Sequence, residues 1–153
     1  MKITKEWLKE KGACDSGFEW FIKQKETDGV EVVKKLITEN KLLWANWLIV
    51  RIMDYKQYVS YAVFAAEQVI DIYEKRYPKD KRPRQAIEAA KKCIEDPSEE
   101  NKKAAAAAAA AAAYAAADAA ADAAAYAAAY AAADAYKMKI KILEYGLKLL
   151  KIK

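Results

Sequence analysis

The stretch from Leu42 to Tyr77 constrains the fold more than any other part of the sequence. From Leu42 to Met53 only Asn46 and Arg51 are strongly polar. A helix that is apolar nearly all round belongs inside a protein or a membrane, and about a dozen residues are too few to span a bilayer. The sequence therefore predicts a central core helix from Leu42 to Met53, with no water-facing side.

A second, amphipathic helix is predicted from Asp54 to Tyr77. At helical spacing, one wide face carries apolar and aromatic side chains and the opposite face carries polar ones. Because the residue before a proline avoids helical geometry, Tyr77-Pro78 should end this helix. The predicted apolar face consists of Tyr55, Tyr58, Val59, Ala62, Ala66, Val69, Ile70, Tyr73 and Tyr77.

Short helices are predicted on both sides of this central pair. Ahead of it, the pattern predicts helices over Thr4–Lys11 and Gly17–Lys25, and a third that opens with an Asp28–Glu31 capping box and ends at a left-handed Asn40. Behind it, Asp80 is the predicted cap and Pro83 the first-turn proline of a helix whose buried side includes Ile87 and Cys93. Asp96 to Glu99 should start the next helix.

The alanine tract from Ala104 to Ala135 dominates the rest of the chain. Its tyrosines and aspartates recur every four residues, which winds them around a helix. We expect a break between Tyr114 and Asp122, with Asp118 or Asp122 capping the new helix, and the tract packed as a layer on the core. Tyr126 should be buried, and Tyr130 and Asp134 more exposed. A later seam is formed by Tyr136, Ile140, Leu143, Leu147 and Leu150.

Length and composition predict a single all-α domain over residues 1–153. The 153 residues suffice for a core without disulfides, and helix-forming residues dominate over β-branched alternation. We expect a compact array of about seven or eight helices. Residues 1–96 should form mixed short and core helices, and 97–153 an alanine-rich layer. The charged start is no signal sequence, and Cys14 and Cys93 are more easily explained as reduced thiols than as a disulfide, so a cytoplasmic protein is predicted.

The residue inventory argues against catalysis. The sequence contains no histidine, its three serines lie in no nucleophile motif, and its glycines form no phosphate-binding loop. No catalytic residue, metal ligand or cofactor site is predicted. An enzyme would need carboxylates such as Glu67, Asp71 or Asp122 gathered in a pocket.

Three features remain as candidate binding surfaces. Glu67, Asp71 and Glu74 share one helical face, most simply as a solvated acidic face. Phe64 falls within that polar face, so either the N-terminal helices cover it or it is an exposed anchor for a protein partner. Lastly, a basic cluster could bind nucleic acid phosphates or pair internally with these acids; it comprises Lys75, Arg76, Lys79, Lys81, Arg82 and Arg84.

The segment Phe64–Ala90 also carries a family resemblance. Its features are Ala66-Glu67, Ile72-Tyr73-Glu74 and the run Pro78–Arg84 leading into Ala86–Ala90, with Asp80, Arg82 and Pro83 the most specific. In these it resembles the small alanine-rich helical immunity proteins of bacterial polymorphic toxin systems, relatives of which occur in phage genomes. In the alanine tract, tyrosine and aspartate stand where that family often has histidine.

The resemblance implies a non-enzymatic protein that neutralises a toxin or a host defence component by direct contact. Phe64, Glu67 and Asp71 are the predicted partner-binding residues, and no membrane association is expected. The alternative hypothesis is a nucleic-acid-binding accessory protein that uses Lys79, Lys81, Arg82 and Arg84. We expect salt to distinguish them, because phosphate binding weakens steeply as salt rises.

Overall fold

A computed structural model describes residues 1–107 and 132–151, without the side chains of 132–135. The predicted all-α class is confirmed: in the described part, helices follow one another without β-strands. They are α1 (Lys5–Glu10), α2 (Asp15–Lys23), α3 (Gly29–Thr38), α4 (Leu42–Ile52), α5 (Tyr55–Glu67), α6 (Ile70–Arg76), α7 (Arg82–Glu95), α8 (residues 99–107) and α9 (Ala132–Leu149).

The chain divides into two compact units. The first unit comprises Met1–Asp54 with Leu143–Lys153, and the second unit comprises Tyr55–Ile142. Helix α9 therefore contributes residues to both units. That all 153 residues behave as a single domain stays a prediction, which unfolding measurements address below.

In the first unit, the chain start pairs with the loop before α3. The Ile3 amide donates to the Thr27 carbonyl at 2.7 Å, and the Gly29 amide donates to the Met1 carbonyl at 2.8 Å. A Cβ at Gly29 would lie 3.2 Å from the Met1 carbonyl oxygen, so this approach favours glycine. The pairing buries the Ile3 side chain almost completely.

The short helices begin and end largely where the sequence indicates. Thr4 accepts the Trp7 amide as the cap of α1, Gly12 has a φ of 71°, and Asn40 has a φ of 57°. The capping box at Asp28 is only half formed. Asp28 accepts amides of α3, but its own amide donates to Glu26 at 2.7 Å instead of to Glu31. Helix α2 starts at Asp15, two residues earlier than predicted.

Helix α4 has a buried face and an exposed face, so the prediction that it has no water-facing side is wrong. Leu42, Ala45, Leu48 and Ile49 are buried at helical spacing, and α4 packs on α3. Leu43, about 100° around the helix from Leu42, is 77% exposed. An apolar residue on the solvent side of a helix leaves no signal in composition, which explains the error.

The predicted helix from Asp54 to Tyr77 is interrupted after Glu67. The Gln68 side chain donates to the Phe64 carbonyl at 3.1 Å, and the Val69 amide makes a short-range bond to the Ala66 carbonyl. The Gln68 backbone amide donates to the same Phe64 carbonyl at 3.3 Å, so the helical hydrogen bond is kept there and the break falls at the next residue. Val69 leaves helical geometry, with φ −122° and ψ −11°, and α6 starts at Ile70.

The core of the second unit lies between α5, α6 and α7. Val63, Ile70 and Ile87 are buried against one another, with Val59, Ala66, Ala90 and Ile94 at the margin. The predicted inward side of α7 is confirmed, since Ile87 and Cys93 are both buried. The predicted face of α5 is partly wrong because Tyr55, Tyr58 and Val69 are about half exposed, whereas Tyr61 and Val63 are buried.

The later helices confirm part of the sequence interpretation. The Ser98 hydroxyl accepts the Asn101 amide at 3.4 Å, which places a cap at the predicted restart. In α9, Leu143 is buried, while Tyr136 at the other end of the predicted seam is 45% exposed. The predicted break near Asp118 and Asp122, and the placements of Tyr126, Tyr130 and the Asp134 side chain, lie outside the described residues.

Candidate functional site

The candidate partner-binding residues lie around the break between α5 and α6. Phe64 and Glu67 belong to the last turn of α5, and Asp71 to the first turn of α6. The break interrupts the helix between them, so they do not lie along one uninterrupted helix. We call residues 64–72 the junction surface.

Phe64 is half-buried, which lies between the two alternatives that the sequence left open. The Lys141 ammonium of α9 is 6.0 Å from the centroid of the Phe64 ring. A cation over an aromatic face is attracted by the ring and contributes a modest stabilisation. Part of the ring therefore has an intramolecular contact, and part remains accessible.

The three carboxylates of the predicted acidic face all pair with cations of α7. Glu67 lies 3.0 Å from Lys91, Asp71 lies 3.5 Å from Arg84, and Glu74 lies 2.6 Å from Arg84. The Asp71 side chain is nevertheless 81% exposed, whereas that of Glu74 is 23% exposed. Glu74 therefore belongs to the internal helix–helix contact, whereas the Asp71 carboxylate remains largely exposed to solvent.

Exposed apolar side chains flank these carboxylates, and the sequence interpretation missed them. Val69 and Ile72 are 47% and 51% exposed, on either side of Asp71 in the chain. A continuous helix would place Val69 on the buried face, and the break at Val69 leaves it exposed instead. The exposure of Ile72 could have been inferred from its spacing. It lies two residues after Ile70, which is buried, and residues two positions apart on a helix lie on nearly opposite sides.

Two of the three arginines of the basic cluster, Arg82 and Arg84, are held by carboxylates. Arg84 donates through Nε and Nη2 to the two oxygens of Glu74, at 2.9 and 2.6 Å. Such forked pairs are among the stronger hydrogen-bonded ion pairs in proteins. The prediction that Arg84 pairs with the acids of the preceding helix is confirmed.

Arg82 pairs instead with Asp80, in the turn ahead of α7. Its Nε and Nη2 approach the Asp80 carboxylate at 3.0 and 2.7 Å, and its backbone amide donates to Asp80 Oδ1 at 3.0 Å. The predicted capping residue is displaced by one position: the N-cap of α7 is Lys81, whose side chain makes no capping bond, and Asp80 accepts the Arg82 amide from the preceding position. For Arg82 the carboxylate contact described here is with the turn, and its pairing with acids of the preceding helix stays a prediction. Local geometry explains the pairing with Asp80, because Asp80 is only two residues from Arg82 and its carboxylate reaches the guanidinium within the turn.

These contacts also shift the acidity of the groups involved. Hydrogen bonds from the Arg82 side chain and backbone hold the pKa of Asp80 well below its usual range. The hydrogen bonds that Arg84 donates to Glu74 lower the pKa of Glu74 and raise the pKa of Arg84. Burial, followed by its hydrogen bond to Asp80 at 2.9 Å, raises the pKa of the Tyr73 hydroxyl. All of these shifts favour the paired charge states at neutral pH.

The cations of the basic cluster therefore differ in how readily they could bind a phosphate. Lys79 and Lys81 are exposed in the turn before α7. Arg82 and Arg84 would first have to weaken their carboxylate pairs, and the adjacent carboxylates would repel a phosphate. This arrangement is better suited to holding α6 and α7 together than to nucleic acid recognition.

Metal-binding clusters and membrane-spanning helices are the remaining features to consider. Among the residues that the structure describes, no three acidic or cysteine side chains are grouped so as to hold a metal ion. Over the same residues, no helix combines the length and the apolar character needed to cross a bilayer.

Comparison with known proteins divides the sequence at nearly the same place as the structure. The family model of the YdhT N-terminal domain matches residues 1–57, most of the first unit. The model of the Imm-5 like putative immunity protein family matches residues 49–153, which include the junction surface. Comparisons with curated proteins and with solved structures give no match. Since this second match spans about two thirds of the sequence, the chain belongs to the Imm-5 like putative immunity protein family.

Proposed function

We propose that this protein is a non-enzymatic inhibitor that neutralises a toxin by direct protein contact through the junction surface. Membership of the immunity family carries the proposal, because an immunity protein implies a protein partner. Within the matched region, Val69 and Ile72 expose apolar surface next to the carboxylate of Asp71. Phe64 and Glu67 complete the surface on the α5 side.

The chemistry of this surface fits a packed interface between proteins. Apolar anchors supply most of the binding free energy when water is excluded, and flanking charges select the partner. The exposed carboxylate of Asp71 favours a toxin with a basic contact surface. We propose that binding occurs in the cytoplasm, where the unpaired thiols of Cys14 and Cys93 would remain reduced.

The test uses a toxin encoded next to this gene, produced with and without the protein in the same cells. Ile72→Asp places a charge in the centre of the junction surface and should weaken binding at least about tenfold, or about 1.4 kcal/mol. Neutralisation should then fail at matched expression. Ile22→Asp is the control, since Ile22 is 44% exposed on α2 of the first unit.

Ile72→Asp and a second variant, Phe64→Ala, decide whether the junction surface is the interface. If Ile72→Asp and Phe64→Ala both neutralise as well as the unchanged protein, the junction surface is not the interface. Titration of the purified pair between low and high salt tests the mode of contact, because a packed interface should change only weakly. Steep loss of binding with salt, together with RNA or DNA retention that depends on Lys79 and Lys81, would support the nucleic-acid alternative.

A further inference from the structure

The first unit contains an apolar cavity that the proposed immunity function does not use. It has a volume of about 270 Å³ and lies among residues of α1 to α4. Three of the chain's four tryptophans, Trp20, Trp44 and Trp47, form part of its wall. Leu43, which is 77% exposed, stands at its mouth and continues the apolar surface outward.

Cations lie over the wall tryptophans. Lys35 is 5.9 Å from the Trp20 ring centroid, and Lys41 is 5.0 Å from that of Trp44. The Arg51 guanidinium is 4.0 Å from the centroid of Trp47. One acid opposes them, because Glu39 accepts the Trp20 indole N–H at 2.6 Å. These three cations and one acid, which we call the rim, therefore contact tryptophans of the wall, while the residues that line the interior carry no charge.

We propose that this cavity binds an acidic segment of a protein partner, with one large apolar side chain inserted and flanking carboxylates on Lys35, Lys41 and Arg51. Tryptophan and arginine are the residue types most enriched at the energetic centres of protein interfaces. Charge complementarity at the rim then selects an acidic segment over a basic one. This site lies outside the junction surface and adds a second binding surface to the protein.

The size and shape of the cavity favour a protein segment over a free small molecule. Small-molecule sites usually enclose about 300–1,000 Å³, so 270 Å³ lies just below that range. One anchoring side chain is a better match for this volume. The exposed Leu43 gives the remainder of a segment an apolar contact beside the cavity, which a ligand enclosed within it would not use.

The experiment uses the full chain and three synthetic peptides with blocked ends. The first has a central Phe-Leu pair flanked by glutamates, the second has lysines in place of the glutamates, and the third has alanines in place of the Phe-Leu pair. All four tryptophans lie between residues 7 and 47. Tryptophan emission therefore reports on the first unit, and these peptides add no tryptophan of their own.

We expect saturable emission changes only with the glutamate peptide, at least about tenfold tighter than with either of the others. Alkylation offers a second readout, because Cys14 lines the cavity and is exposed whereas Cys93 is buried. Bound peptide should slow modification of Cys14. Leu43→Glu, at an exposed position, should weaken the glutamate peptide about tenfold without unfolding the protein.

Charge reversal at the rim gives the sharpest discrimination. Lys41→Glu with Arg51→Glu should reverse the preference, so that the lysine peptide binds more tightly. Lys5→Glu with Lys25→Glu makes the same charge change at exposed positions, whereas Lys41 and Arg51 lie over tryptophans of the cavity wall, and this control should leave the preference unchanged.

Three results would overturn the proposal. They are absence of any binding up to about 1 mM peptide, equal binding of the glutamate and lysine peptides, and binding that is unaffected by Leu43→Glu. If decanoate binds with the same dependence on the rim charges while the peptides do not, the cavity is a site for a free anionic amphiphile.

Discussion

Arg82 and Arg84 are separated by one residue and stabilise different parts of the second unit. Arg82 closes the turn onto Asp80, and Arg84 joins α7 to Glu74 of α6. The lowered pKa values of Asp80 and Glu74 express the same fact, because each carboxylate is stabilised in its charged form. Their contribution to stability is present above the ordinary carboxyl range and is lost as the pH falls below it.

Tyr61 provides a prediction at alkaline pH. It is 4% exposed, and burial raises the pKa of its hydroxyl to about 12, whereas an unfolded tyrosine titrates near pH 10. Its contribution to stability is fully present below pH 10 and is lost as the pH rises to 12, because the unfolded phenol releases its proton first. The loss should reach about 2–3 kcal/mol.

Urea unfolding of the unchanged protein and of Tyr61→Phe at several pH values from 9 to 12 measures this loss. Phenylalanine has no proton to release, so the difference in unfolding free energy between the two proteins should narrow or reverse as the pH rises. Deprotonation of the lysines is common to both proteins and cancels in the difference. Parallel curves over this range would show that Tyr61 ionises as readily in the folded state as in the unfolded one.

At the scale of helices, the pairing of α5 and α6 with α7 gives the second unit its described core. Val63, Ile70 and Ile87 bury their side chains there, although α5 and α6 are not continuous. The break places buried Ile70 next to exposed Val69 and Ile72. The same short segment thus contributes Ile70 to the core and Val69 and Ile72 to the proposed interface.

The element-scale prediction compares two isoleucines. Ile87→Ala should cost about 2–5 kcal/mol of unfolding free energy, because it leaves a cavity in the core. Ile72→Ala, at a half-exposed position, should cost under about 0.5 kcal/mol. Chemical denaturation of both variants tests this. Equal costs would mean that Ile72 is packed, and Ile72→Asp would then be unsuitable for mapping the interface.

The sequence predicts the local features of these helices better than their tertiary contacts. Caps at Thr4 and Ser98, the bond from the Arg82 amide to Asp80, and the left-handed Asn40 follow from side chains that act on neighbouring amides or on their own backbone. The break at Val69 does not follow, because no proline or glycine marks it in the sequence.

The candidate sites show the same difference. Phe64, Glu67 and Asp71 were identifiable as residues out of place on a polar face, but the pairing of each acid with α7 depended on tertiary contacts. The exposed side of α4 and the tryptophan-lined cavity were not predicted. Composition records that side chains are apolar and cannot show which of them the fold leaves uncovered.

At the scale of the whole molecule, the tryptophans allow the two units to be observed separately. Trp7, Trp20, Trp44 and Trp47 all belong to the first unit, whereas far-ultraviolet circular dichroism reports helices of both. We expect the two signals to show one midpoint in urea, as for a single domain. Helix α9 supplies residues to both units. Unfolding of either unit should therefore also destabilise the part of α9 that belongs to the other unit.

Coincident curves are the test for a single cooperative transition. If emission and dichroism gave separate midpoints, the two units would unfold independently. Leu143→Ala is a useful companion variant, because Leu143 is buried and belongs to the first unit although it lies far along the chain. It should lower the midpoint of the tryptophan signal.

The composition of the first unit has a consequence for the newly synthesised chain. Residues 1–54 leave the ribosome first, but their unit also includes Leu143 and the residues that follow it. At about 5–20 residues per second, the intervening 88 residues, from 55 to 142, take roughly 4–18 s to translate. During those seconds the nascent first unit lacks part of its partners, and its apolar surface is available to chaperones.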